Sequence, residues 1–351
     1  MRLIPACLLL FAVPAHAEGL RLNEIQAIGS HNSYHVAPPK ELLEIIVKTN
    51  KAADAWNYTH PPLATQLDMG LRQFELDIFA DPDGGLFAEP LGLKLAELAG
   101  AKNTPHDAAA LDKPGFKVLH VPDLDFGTTV PLLTQALREM IAWSDAHPRH
   151  LPVMILLECK DQPHPPLPTK PEPLTRARLM DLEKEILSVL PRDRLLKPDD
   201  VRGKEATLRE AVTKHGWPAV DSLRGKFILC LDNTDAIRDR YLEGNPSLEG
   251  RLIFASAPDA GHPAAGWFKC NDPAREQEKI RELVKAGFLV RTRTDTQKPD
   301  AAMKAAAFGS GAQWLSTDHF RPGEAQRVSF GNGKTARVNP LVRAEKAELE
   351  P

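Results

Sequence analysis

Cysteine is nearly absent. The 351-residue chain has four, and Cys7 lies in an N-terminal segment expected to be removed, which leaves Cys159, Cys230 and Cys270. None of them has the paired spacing of a zinc or iron–sulfur site, which excludes thiolate metal chemistry. An odd number of thiols in an oxidising compartment allows one disulfide at most, and a small core side chain is the expected role of each. Neither sign of charge is in excess: 44 Lys and Arg against 47 Asp and Glu give a net charge of −3. That balance excludes bulk nucleic-acid binding, which needs a basic surplus. Beyond the N-terminus no apolar run is long enough to cross a bilayer, and no internal repeat is present.

The N-terminus reads MRLIPACLLLFAVPAHA. Arg2 supplies a positive start, Leu3 to Val13 a short apolar run, and Ala15-His16-Ala17 a small-x-small cleavage site. This is the pattern of a secretory signal over residues 1–17, cut after Ala17. A secreted or periplasmic product is expected. Cys7 is followed by leucines rather than placed at a cleavage junction, which argues against a lipoprotein.

A hydrophobic content of 42% supports a sizeable core. Short apolar runs recur at 24–29, 71–79, 116–121, 152–158, 226–232, 251–256, 287–293 and 312–317, each followed by polar or Gly/Pro-rich sequence. Helical periodicity falls between them, clearest over 131–146, 174–190 and 273–286. This alternation predicts an α/β fold, a single (β/α)8 TIM-type barrel over residues 18–336, with a charged, frayed tail at 337–351. Three long segments, 36–62, 80–115 and the proline-dense 159–173, follow the first, second and fourth runs. In such a barrel they lie on the active-site face, where loops shape or cover a substrate site.

Chemistry gathers at the same strand ends. The first run leads into GSHNSYH, with His31, Asn32 and His35. LRQFELDIF carries Glu75 and Asp77, two apart on a strand and therefore on one face. KVLHV carries His120, and LPVMILLECKD carries Glu158 and Lys160. Clustered carboxylates repel unless a cation relieves them. An oxygen-only set of Asn32, Glu75, Asp77 and Glu158 suits calcium, and magnesium less well. His31 and His120 form a pair suited to phosphoryl chemistry: one donates to a phosphoryl oxygen as charge builds, the other protonates a leaving alcohol. Later strand ends add substrate-binding candidates in Asp232, Arg291, Arg293 and Asp318, with Lys160 beside Glu158. Asp295, Ser316 and Asp123 lie near them in sequence.

Four blocks in order, GSHNSYH, GLRQFELDIFADPDGG, KVLHV and LPVMILLECK, resemble the catalytic barrel of phosphoinositide-specific phospholipase C. The expected signal segment, TRTDT and GAQWLSTD are similar to its secreted, calcium-dependent bacterial branch. The resemblance implies attack of the inositol 2-hydroxyl on the adjacent phosphate, giving a cyclic inositol phosphate and diacylglycerol. It implies His31 at the phosphorane, His120 as acid to the glycerol oxygen, and Glu75 or Glu158 as base. Calcium would be held by Asn32, Glu75, Asp77 and Glu158. The implied partner is a phospholipid, met in transient contact with a membrane surface by a monomer. The nearest alternative is a glycerophosphodiester phosphodiesterase acting on deacylated phospholipids, and HNSYH favours the phospholipase. A non-catalytic lipid- or polysaccharide-binding barrel predicts the loss of a histidine or an acid, and none is missing.

Overall fold

A computed structural model describes residues 19–296, 298–344, 347, 349 and 350. The expected signal at 1–17, with Cys7, lies outside the described residues.

Eleven strands occur among the described residues: β1 Ile25–Ser30, β2 Gln73–Phe79, β3 Lys117–Val118, β4 Val153–Cys159, β5 Leu195–Leu196, β6 Phe227–Leu231, β7 Phe254–Ala255, β8 Trp267–Lys269, β9 Leu289–Arg293, β10 Trp314–Thr317 and β11 Ala336–Val338. A continuous parallel path runs β5-β6-β4-β2-β1-β10-β9-β8, and β7 joins β6, also in parallel. A parallel bridge from Ser256 to Trp267 ties the end of β7 to β8. The result is a curled parallel sheet in an α/β fold, compatible with a TIM-type barrel. β1, β2 and β6 are buried along their whole length, as strands covered on both faces must be.

Most of the apolar runs are strands where expected. The run at 116–121 is not a parallel barrel strand. Only Lys117 and Val118 pair, and they run antiparallel to β2 through Ile78–Val118 and Phe79–Lys117. The 80–115 segment doubles back, so the chain returns along the far end of β2 instead of crossing to a new position. The parallel strand that takes its place in the count is β8, whose three residues Trp-Phe-Lys are too few for an apolar run to show.

The expected helices form over Leu133–Ala146, Arg176–Leu187 and Pro273–Lys285. Thr175 and Asp272 cap the last two by accepting from the backbone N–H of Arg178 and Arg275. Their inward positions, such as Leu179, Leu182 and Ile186 or Ile280, Leu283 and Val284, repeat at helical spacing and are buried.

One close approach positions the site. A Cβ on Gly29 would lie 2.4 Å from the side-chain oxygen and 2.6 Å from the carbonyl oxygen of Gln73. Only glycine lets β1 come this near β2, and His31 and Asn32 follow after Ser30.

The three described cysteines are buried and unpaired. Burial raises the thiols of Cys159 and Cys230 and pushes Cys270 up to about 11, as expected of inert core residues.

The charged segment beyond 336 is not frayed in its described part. β11 pairs antiparallel with β1, the Asn339 side chain donates to the Gly311 carbonyl at 2.7 Å, and Leu349 is buried. Arg72 donates to both carboxylate oxygens of Glu350, at 2.9 and 2.7 Å, with its guanidinium 5.0 Å from the Trp143 ring centroid. Arg72 is buried just before β2, so losing its partner strands a charge. The carboxylate is one-fifth exposed, at 20%, which places the cost below that of a fully buried pair. Glu350→Ala should therefore destabilise the protein by roughly 2 kcal/mol in urea unfolding; an unchanged midpoint would show that the C-terminal clasp contributes nothing.

Candidate active site

Four carboxylates converge from β2, from the end of β4 and from just beyond β6. Asp77 pairs in register with Glu158 across β2 and β4, and Asp232 follows β6 directly. Oxygens of Glu75, Glu158 and Asp232 all lie within 4.8 Å of one another. Asp77 is next to this group, with its Oδ2 2.5 Å from Lys160 Nζ, and the same ammonium is 3.6 Å from Glu158. Glu75 accepts from Arg291 of β9, and Asp232 accepts from Lys269 of β8. Asn32 donates its amide N–H to the Tyr58 hydroxyl at 3.1 Å, which leaves its carbonyl oxygen available. Its backbone has φ 42°, a left-handed turn that asparagine tolerates.

The carboxylates differ in acidity for physical reasons. Burial works to raise Glu75, but Arg291 and then His31 overcome it and hold the group low. Burial and the neighbouring Asp77 raise Glu158. Burial pushes Asp232 up to about 6 against the pull of Lys269. Lys160 is raised, its burial outweighed by Asp77 and Glu158.

The two expected histidines each lean on a carboxylate. His31 Nδ1 is 3.2 Å from Asp318 Oδ1. Burial opposes ionisation of Asp318, yet His31 and His60 hold the carboxyl far below the usual range. Asp318 is fixed by its backbone N–H donating to Asp295 at 3.0 Å, and Asp295 also accepts from the hydroxyls of Thr294 and Thr317. His120 Nδ1 donates to Asp125 Oδ2 at 2.5 Å. Burial lowers His120, partly offset by Asp125.

Other candidates have different places from those expected. Arg291 is fully buried and also donates to Asn271 and Ser316, so it is an internal counter-ion rather than a reader of substrate. Asp232 belongs with the acidic group, and Asp318 with His31. Arg293 lies at the mouth, with Nη2 3.7 Å from Asp318 and buried without a hydrogen-bond partner. Asp123 accepts from the Leu91 N–H and from both the N–H and hydroxyl of Thr169, which makes it a staple between loops. Sequence reasoning missed Asp125, His60 and Lys269. Asp125 follows His120 by five residues in VPDLD, a spacing that signals only a tight turn. Lys269 was hidden with β8, and His60 by its position in the first long loop.

Oxygen-only donors facing a histidine pair make a site for hydrolysing or transferring a phosphodiester with a hard divalent cation. The comparisons agree. The family described as phosphoinositide phospholipase C, Ca2+-dependent, matches residues 20–340. A calcium-dependent phosphoinositol-specific phospholipase C from a Gram-negative Pseudomonas superposes with a TM-score of 0.57, at 15% identity over 91% of this chain and 96% of that one. A Ca2+-dependent phosphatidylinositol-specific phospholipase C from Streptomyces antibioticus gives a TM-score of 0.51, at 19% identity over 85% and 95%. At these identities the two structures show a shared fold. No curated protein matches the chain in sequence. With the match extending over residues 20–340, the chain belongs to the calcium-dependent phosphoinositide phospholipase C family.

Proposed function

We propose that this enzyme cleaves phosphatidylinositol-type lipids to diacylglycerol and a cyclic inositol phosphate, through attack of the inositol 2-hydroxyl. The observation that carries the reading is the pair of carboxylate-backed histidines, His31–Asp318 and His120–Asp125, beside the Glu75–Glu158–Asp232 group.

The donor set fits calcium: oxygens of buried Glu75 and Asp232 and of the partly exposed Glu158 lie at close mutual distance, and Asp77 Oδ1 is buried without a hydrogen-bond partner. Glu75, Glu158 and Asp77 would hold it, with the Asn32 carbonyl, and Asp232 is a further donor that sequence reasoning placed with the substrate. Bound there, calcium would supply positive charge that acidifies the attacking hydroxyl and offsets the phosphoryl charge.

The residues divide the remaining work. Glu158 is partly exposed at the mouth, whereas Glu75 is buried and engaged by Arg291, so Glu158 is the better placed base. Glu158 takes the proton of the 2-hydroxyl as that oxygen bonds to phosphorus. His31, oriented by Asp318, donates to a phosphoryl oxygen as negative charge grows. The bond from phosphorus to the glycerol oxygen then breaks, and His120 gives that oxygen its proton. Arg293 and Lys160 line the mouth as cations for the phosphate.

We place this chemistry at the mouth of a single TIM-type barrel that the 1–17 signal directs to the periplasm or out of the cell, and that acts as a monomer in transient contact with a membrane surface, without nucleic acid. No helix among the described residues is long and apolar enough to cross a membrane.

Phosphatidylinositol should be turned over in a calcium-dependent way and glycerophosphoinositol poorly; exclusive turnover of the water-soluble diester would reverse the reading. His31→Ala and His120→Ala should each lower kcat by roughly a hundredfold or more without unfolding the protein. Activity that survives both changes would remove the histidines from the mechanism. Calcium affinity should depend on pH. The raised Glu158 and Asp232 take up protons at higher pH than ordinary carboxyls, Asp232 near pH 6, and each proton removes a donor. Affinity measured by calorimetry should therefore be high at pH 8 and fall as pH drops through about 6. A flat profile would place the ion elsewhere.

A further inference from the structure

GSHNSYH contains a second histidine to which the reaction above gives no part. His35 is fully buried, and both of its ring nitrogens are engaged. Nδ1 donates to the Tyr58 carbonyl at 2.9 Å, and Nε2 lies 2.9 Å from each oxygen of Asp125. Tyr58 stacks on the ring, with centroids 4.1 Å apart. The backbone is fixed as well: His35 N–H donates to the Asn32 carbonyl at 2.9 Å, and His35 bridges to Thr128. Asp125 is equally buried, in a turn closed by its N–H donating to Val121 at 2.8 Å. The same Asp125 Oδ2 accepts from His120 Nδ1 at 2.5 Å.

One carboxylate is thus shared by two histidines, and only the outer one reaches the mouth. The His120 side chain is 20% exposed, while those of His35 and Asp125 are at 0%. The three groups also have the composition of a metal site. Their direct contacts at 2.5 and 2.9 Å instead make them a hydrogen-bonded relay.

We infer that Asp125 and His35 are positioning residues for protonation of the leaving group: His35 clamps Asp125, and Asp125 holds His120 with Nε2 turned to the substrate. The inference rests on the proposed role of His120 as the acid. A carboxylate on Nδ1 fixes the tautomer that carries its other proton position at Nε2, and it stabilises the protonated ring until transfer. An Asp125 held by His120 alone would be free to turn about its side-chain bonds. With His35 donating to both oxygens, the carboxylate plane is set. The interaction energy is spent on orientation, which is where a general acid gains or loses most of its effect.

The test uses leaving groups. Diacylglycerol leaves as an alkoxide and needs a proton, whereas nitrophenolate leaves without one. Purified wild type, Asp125→Asn, His35→Leu and His35→Gln are assayed with calcium on phosphatidylinositol and on the nitrophenyl ester of inositol phosphate, with melting curves for each. Asp125→Asn should lose roughly a hundredfold in kcat on the lipid and less than about threefold on the nitrophenyl ester, with KM unchanged. His35→Leu should lose roughly tenfold with the same selectivity. His35→Gln, which keeps one donor to Asp125, should recover part of that loss, and it decides the matter if the leucine variant does not fold. Equal losses on both substrates would show a structural role and overturn the inference, as would variants with wild-type lipid turnover. If wild type itself cleaves neither substrate, the proposed reaction fails instead.

Discussion

Four carboxylates at one mouth, three of them buried, cannot stand unless cations meet them, and the curl of the sheet is what supplies those cations. Glu75, Asp77 and Glu158 belong to β2 and β4, and Asp232 follows β6 directly. Arg291 and Lys269, which pair with Glu75 and Asp232, belong to β9 and β8 at the other end of the strand path. In a flat sheet the two sets would be far apart. An unpaired ion buried in protein costs several kcal/mol, and breaking a buried pair is correspondingly damaging. The curl of the sheet and the assembly of the site therefore depend on each other. The same compensation makes a cation site possible, because the group remains short of positive charge where Asp77 and Glu158 share the single ammonium of Lys160.

The two histidines are supported by different means. His31 follows β1 and meets Asp318, which follows the neighbouring strand β10, through the parallel pairing of Ser30 with Thr317. Its orientation is a property of the sheet. His120 meets Asp125 inside one tight turn, with help from His35 in the first loop. In the proposed reaction, a sheet-held donor to the phosphoryl oxygen and a loop-borne acid for the leaving group match the demands of the two steps. The phosphoryl oxygen moves little during reaction, whereas the lipid alcohol must depart past the loops.

The sequence made the acids legible because each lies within or just after a long apolar run, where a carboxylate stands out. It also exposed His31 and His120, since both adjoin such runs. What it hid was short or local. Three residues of β8 carry Lys269, and no pattern can be seen in so few. Asp125, His60 and the burial of Arg291 depend on distances across the mouth. Arg291 and Arg293 look equivalent in LVRTR, yet one is sealed against Glu75 and the other borders the opening. Alternation along a strand places both on one face but does not tell how deep each lies.

The run read as a third barrel strand turns out to matter for a different reason. β3 is two residues long and antiparallel, and it delivers the turn from Val121 to Asp125 to the mouth. Within that turn, Asp123 holds Leu91 of the 80–115 segment and Thr169 of the 159–173 segment. Two residues on, Asp125 holds His35, which Tyr58 of the 36–62 segment covers. Three long loops that leave three different strands thus meet at five residues. A true barrel strand would have sent this stretch through the sheet and left the loops to pack on their own. By returning along β2, the chain makes the turn that holds His120 also the point at which the three loops are tied.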